Sequence, residues 1–87
     1  MSYTIYLTKA AAKDLATVPK KILKHIDNTL LSLADNPHPH GSIKLQGSHD
    51  LYRIRKGDFR IIYKIEDAVL IITVVRIGNR RDVYRDI

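Results

Sequence analysis

Cysteine and tryptophan are absent from the chain, and methionine and phenylalanine occur once each. Without cysteine there is no disulfide, thiolate metal site or sulfur nucleophile, and a reducing cytoplasm is the expected compartment. The four glycines are scattered, so no glycine-rich phosphate loop is present. No apolar run is long. The longest, residues 68–77, is interrupted by Thr73 and Arg76 and falls well short of the roughly 20 residues a membrane helix needs. The first residues, Met1-Ser2-Tyr3-Thr4-Ile5, lack a charged stretch followed by an apolar one, so no secretory signal is expected. Acidic side chains are few, 9 against 15 lysines and arginines, for a net charge of +6.

What remains is a chain of 87 residues, 45% hydrophobic. It is read as a single domain, residues 1–87, close to the smallest size that supports a core. Its apolar residues recur periodically, which excludes a disordered chain. A basic balance in so small a chain favours a polyanionic partner: nucleic acid, an anionic membrane or an acidic protein. All seven arginines lie from Arg53 onward, and six of the eight lysines lie before that point. Arginine offers a planar fork that grips phosphate through two bonds, whereas lysine is a hydrated point charge. The arginine-bearing half is therefore the candidate chemical half, unless these charges only keep a sheet surface soluble.

Residues 3–7 read as a strand rich in β-formers, bounded by Thr8. Thr8 is a candidate cap for a helix starting at Lys9, with Ala11, Leu15 and Val18 on one stripe. Pro19 suits the first turn of a second helix. That helix carries Ile22, Ile26, Leu30 and Leu33 at helical spacing and ends at Asn36-Pro37. The stripe is read as core. Residues 36–50, punctuated by Pro37, Pro39, Gly41 and Gly47, read as one loop. Three strands follow, residues 51–56, 59–66 and 69–77, joined by turns so short that only antiparallel pairing fits. The expected fold is α+β: an N-terminal strand, a helical hairpin, then a three-strand antiparallel meander completing a four-stranded sheet, with a short C-terminal tail or helix from residue 78.

Strand alternation decides which side chains share a surface. Arg53 and Arg55 fall on one face, with Tyr52 and Ile54 on the other. In the next strand Phe59, Ile61, Tyr63 and Ile65 share a face and Arg60 opposes them. A sheet packed on the hairpin by its apolar face would gather Arg53, Arg55 and Arg60 on the other, with the tail arginines able to fold over the same surface. Cleavage of a phosphodiester by a neighbouring 2′-hydroxyl passes through a phosphorane with added negative charge. It needs cationic donors on the non-bridging oxygens, an acceptor for the hydroxyl proton and a donor to the leaving oxygen. Guanidinium groups supply the first. Tyr84 serves as a proton carrier only if neighbouring cations lower its pKa from about 10; it also offers a ring for base stacking.

Other constellations are weaker. His38-Pro39-His40 has the look of a metal site but no third or fourth ligand, so it is read as a solvated loop and no metal is expected. His25 and His49 are possible bases that nothing places beside the arginines. Ser42 and Ser48 lack a nucleophile-elbow motif.

The run Lys44-Leu45-Gln46-Gly47, then residues 50–63 from Asp50-Leu51-Tyr52-Arg53 to Arg60-Ile61-Ile62-Tyr63, then Ile77-Gly78-Asn79-Arg80-Arg81-Asp82-Val83-Tyr84-Arg85, resembles the RelE family of type II toxins within the RelE/ParE superfamily. The preceding strand and hairpin fit as well, so the resemblance covers nearly the whole chain. It implies an mRNA endoribonuclease that enters the ribosomal A site, works without metal or cofactor and inhibits translation. It also implies a RelB-type antitoxin that wraps the toxin, contact with operator DNA only through that antitoxin, and no membrane partner.

Carried over by motif, the implied catalytic residues are Arg53, Arg55, Arg60, Arg80 and Tyr84. The implied RNA-binding residues are Arg53, Arg55, Lys56, Arg60 and Arg81. The chain departs from the pattern in two places. The strand pair, lysine in the archetype, is arginine here, and Asn79 stands where many relatives carry histidine. Arginine hardly deprotonates, so it stabilises charge and is a poor base. Two alternatives stay open: a ParE-like toxin that binds DNA gyrase and cuts nothing, and a nucleic-acid-binding module without catalysis.

Overall fold

The computed structural model describes residues 2–47 and 50–79. Strand β1 (Thr4–Leu7) leads into helix α1 (Lys9–Thr17) and helix α2 (Lys20–Asp35). Four more strands follow: β2 (Ile43–Lys44), β3 (Leu51–Lys56), β4 (Phe59–Glu66) and β5 (Ile71–Gly78).

Local chemistry explains the hairpin. Thr8 caps α1, its Oγ1 accepting from the Ala11 N–H at 3.0 Å. Val18, the residue before Pro19, is pushed into extended backbone, and this breaks the two helices apart. Pro19 then serves α2 with its carbonyl, which accepts from Ile22 and Leu23. The α2 stripe buries Ile26, Leu30 and Leu33, as its spacing predicts, and also Thr29. That hydroxyl is tolerated because it donates to the His25 carbonyl at 2.9 Å.

The sheet has five strands in the order β1-β5-β4-β3-β2, one more than the four expected. β1 runs parallel to β5, and the other neighbours are antiparallel. The additional strand is β2, inside the segment read as loop. Two residues are too few for an apolar period to register. They are set by Gly41 and Gly47, whose φ values of 93° and 77° turn the chain on either side.

The last strand also starts later than expected, at Ile71. Asp67–Val69 forms a single 3-10 turn closed by Leu70 in the left-handed region, φ 55°. A bulge follows. Ile62 pairs with Arg76 and Tyr63 with Val74, which leaves Val75 as the extra residue and re-aims the end of β5. The tail expected from residue 78 lies outside the described residues from residue 80 on.

One sheet face packs on the hairpin. Ala11, Val18, Ile26, Leu30 and Leu33 meet Ile54, Ile61, Tyr63, Ile65, Ile72, Val74 and Ile77 in one core. Each valine, leucine and isoleucine among them contributes about 1.5–3 kcal/mol on burial. β1 pairs with β5 only as far as Val74, so the rest of the β5 edge needs other partners. Helix α1 supplies them. Thr8 Oγ1 donates to the Val75 carbonyl at 2.8 Å, and the Ile77 N–H donates to Asp14 Oδ2 at 2.9 Å. The same carboxylate takes Arg76 through Nε at 2.8 Å and Nη2 at 3.2 Å. Asp14 thus closes a sheet edge and neutralises an arginine at once.

Candidate nucleic-acid interface

The site is built on the face of the sheet turned away from the hairpin. Ile54 and Ile61 are buried towards the helices, so their chain neighbours Arg53, Arg55 and Arg60 point the other way. The β3–β4 register sets Arg55 directly opposite Arg60, and Arg53 opposite Ile62. Arg53 is flanked on its other side by Ile43 of β2, and Arg60 is flanked by Gly78 of β5. The three strand arginines therefore share a surface, as alternation predicts.

Electrostatics sets this surface apart. Like charges directly opposite on a sheet destabilise it, yet Arg55 and Arg60 face each other with no carboxylate between them. Among the described residues none of Arg53, Arg55 and Arg60 forms a salt bridge; the pairs present are Lys64 with Asp50 and Glu66, and Arg76 with Asp14. Arg55 is exposed, whereas Arg53 and Arg60 are half-buried. The Arg53 Nε–H is itself buried and has no hydrogen-bond partner among the described residues, an arrangement that is costly for a polar donor. Ile62 is fully buried on this face. Sequence reading passed over it because it alternates out of the helix-side set.

Lys56 does not join the arginines. It pairs with Phe59, a residue packed on the hairpin-side core, and lines a groove of about 690 Å³ there with Asp14, Ile22, His25 and Ile77. Arg80, Arg81 and Tyr84 lie outside the described residues. Asn79, the last described residue, is exposed at the end of β5.

Two tyrosines are tied to structure. Tyr63 donates to the Pro37 carbonyl at 2.9 Å, and burial pushes its pKa up. Its ring stacks on Tyr52 at 6.0 Å, and Tyr52 meets His38 edge-on at 5.1 Å. Tyr63 belongs to the hairpin-side core and Tyr52 packs against it, so this ladder fastens the 36–42 segment on the side away from the arginines. Tyr3 donates to Asp67, and that hydrogen bond to a carboxylate holds its pKa above the usual tyrosine value. Neither phenol is poised as a base. Among the described residues no group of three or more histidines and carboxylates is arranged to hold a metal, and no helix is long and apolar enough to cross a membrane.

Comparison with known proteins places this geometry. Residues 5–84 match the family model described as the ParE toxin of the type II toxin–antitoxin system parDE. A putative RelE-like toxin protein of Escherichia coli is 38% identical over 88 residues, covering 97% of this chain and 92% of that protein. Toxin RelE of Mycobacterium tuberculosis is 31% identical over 84 residues, covering 95% and 87% respectively. The archaeal RelE–RelB complex from Pyrococcus horikoshii OT3 contains a chain that superposes with a TM-score of 0.81 at 30% identity, covering 93% of this chain and 98% of that one. A family model matched over residues 5–84, relatives of nearly equal length and a shared backbone agree: the chain belongs to the RelE/ParE family of type II toxins, as a RelE-type member of a toxin–antitoxin system.

Proposed function

We propose that this toxin is a ribosome-dependent mRNA endoribonuclease. The observation that carries the reading is the Arg55–Arg60 pair, two cations set opposite each other with no salt-bridge partner among the described residues, and Arg53 beside them on the same face. A sheet gains no stability from that arrangement, but a phosphodiester does. The 2′-oxygen of the RNA bonds to phosphorus and the bond to the 5′-oxygen breaks, leaving a 2′,3′-cyclic phosphate and a 5′-hydroxyl. The guanidinium groups grip the non-bridging oxygens and stabilise the charge that grows on them.

The proton of the 2′-hydroxyl must leave and a proton must reach the 5′-oxygen. Arginine serves neither role well, and Asn79 does not titrate. Tyr84 is assigned to proton transfer, and Arg80 is assigned to the phosphate with the strand arginines. Arg81 is assigned to RNA outside the reacting group. The family resemblance supplies the ribosome as the setting and a RelB-type antitoxin as the partner that neutralises the face. That antitoxin is expected to be acidic where it meets the arginines, so its association rate should fall as salt rises; a rate unchanged by ionic strength in stopped-flow mixing would oppose this.

A second reading, a ParE-like inhibitor of DNA gyrase, is favoured by the family model that the chain matches. One experiment separates the two. Purified toxin is added in parallel to mRNA stalled on ribosomes and to gyrase with relaxed plasmid. Cleaved mRNA with normal supercoiling is expected, and intact mRNA with inhibited supercoiling would replace the first reading by the second. In the cleavage assay Tyr84→Phe, which removes one oxygen and little packing, is expected to be slower by about 100- to 10,000-fold. A parental rate would leave that tyrosine only base stacking.

A further inference from the structure

Three of the four glycines are accounted for by their backbone: Gly41, Gly47 and Gly57 have φ values of 93°, 77° and 61°, a region that favours glycine. Gly78 is different. It belongs to strand β5 and is not among the positive-φ residues, so conformation does not demand it. Glycine weakens a strand, and its presence within one often marks a place where a ligand or another backbone comes close.

Its position supplies the reason. Ile77 is buried towards the hairpin, so residue 78 faces the opposite side, and the ladder pairs it with Arg60. Arg60 is in turn paired with Arg55. One row across the sheet therefore reads Arg55, Arg60, Gly78, two guanidinium groups ending in a position with no side chain. Directly paired positions on one face bring their Cβ atoms to about 4.5–5.5 Å, so any side chain at 78 would stand against the flank of Arg60. In sequence, Arg80 and Arg81 follow Gly78 within three residues.

We propose that Gly78 is an access position for the RNA backbone: its missing side chain leaves a lane across β5 through which the scissile phosphate reaches Arg60 and Arg55. The proposal rests on the ribonuclease reading and adds to it a residue that sets how closely phosphate approaches. It predicts a signature that a structural role does not give. Alanine and valine are both better strand formers than glycine, so adding bulk should leave the melting temperature equal or higher while cleavage falls in order of side-chain size.

The test is single-turnover cleavage of mRNA on stalled ribosomes by the full-length protein and by Gly78→Ala and Gly78→Val, with melting temperature and ribosome binding measured alongside. Valine is expected to lower the rate by about 100-fold, the scale of an ångström of misplacement at a reacting centre. Alanine should fall between valine and the parent, with ribosome binding unchanged. If the valine protein does not fold, the alanine protein decides: slower cleavage at an undiminished melting temperature supports the lane, and a parental rate overturns it. Valine cleaving at the parental rate, or a loss that tracks a falling melting temperature, also overturns it. A parent that leaves mRNA intact would overturn the ribonuclease reading and this proposal together, whereas an active parent beside equally active variants would overturn only this one.

Discussion

Arg76 and the trio Arg53, Arg55 and Arg60 occupy neighbouring strands of one sheet, yet they are treated oppositely. Arg76 is gripped by both oxygens of Asp14, with the two side chains only 18% and 17% exposed. The trio has no salt-bridge partner among the described residues, and one of its donors is buried without an acceptor. The difference teaches how to tell a structural arginine from a functional one. Where the fold supplies the carboxylate, the cation holds helix α1 to the edge of β5. Where no described residue supplies it, the cation is the one that the proposed ribonuclease reading assigns to the RNA phosphate. Exposure does not make the distinction, because Arg53 and Arg60 are half-buried as well.

The largest expected effect tests the unpaired side. Arg60→Ala should lower single-turnover cleavage by roughly 100- to 1000-fold, the cost of losing one donor to transition-state charge. Stability should hold or rise slightly, because the like-charge pair with Arg55 is relieved. Arg60→Lys should recover only part of the rate, since it keeps the charge and loses the fork. If Arg60→Ala instead weakens ribosome binding and cleaves normally once bound, this arginine docks the toxin and the non-catalytic alternative gains.

Much of this surface was legible before the fold was known. Alternation alone put Arg53, Arg55 and Arg60 on one face, because the period of two leaves no choice once Ile54 and Ile61 turn inward. The same rule, applied one residue further, sends Lys56 to the hairpin side. The role of Arg76 was not legible, since its partner Asp14 lies 62 residues away in sequence and no local pattern encodes such a pair. β2 was invisible for a different reason: two residues carry no period, and Ile43–Lys44 exists because β3 offers an edge. The start of β5 was misplaced because Val69 and Leu70 are apolar, and hydrophobicity does not reveal that Leu70 takes a left-handed turn.

The paired side is tested next. Asp14→Ala strands the half-buried Arg76 guanidinium and leaves the Ile77 N–H without its acceptor. Breaking such a pair by removing one partner should cost about 3 kcal/mol, or roughly 12–24 °C in melting temperature for a domain of this size. Cleavage per folded molecule should be affected far less than by Arg60→Ala. A melting temperature within a degree of the parent would mean that Asp14 and Arg76 do not hold the edge of β5, and the contrast between the two kinds of arginine would collapse.

The smallest expected effect comes from converting one kind into the other. Ile43 is 48% exposed and lies directly across from Arg53, so Ile43→Glu would place a carboxylate where the fold has none. Opposite charges at facing strand positions are worth about 0.2–1 kcal/mol, and the lost isoleucine surface was already half in water. Stability measured by urea denaturation should therefore stay within about 0.5 kcal/mol of the parent. Cleavage should fall by up to about fivefold, the same energy read as competition between the new carboxylate and the RNA phosphate for Arg53. Ile43→Gln has nearly the same shape without the charge and should keep the parental rate. Raising the ionic strength should narrow the gap between the Glu and Gln proteins, because the competition takes place at an exposed edge. Equal losses in the two would show that position 43 acts through shape. A parental rate in the Glu protein would show that Arg53 meets no phosphate, and its buried Nε–H would then need an acceptor other than RNA.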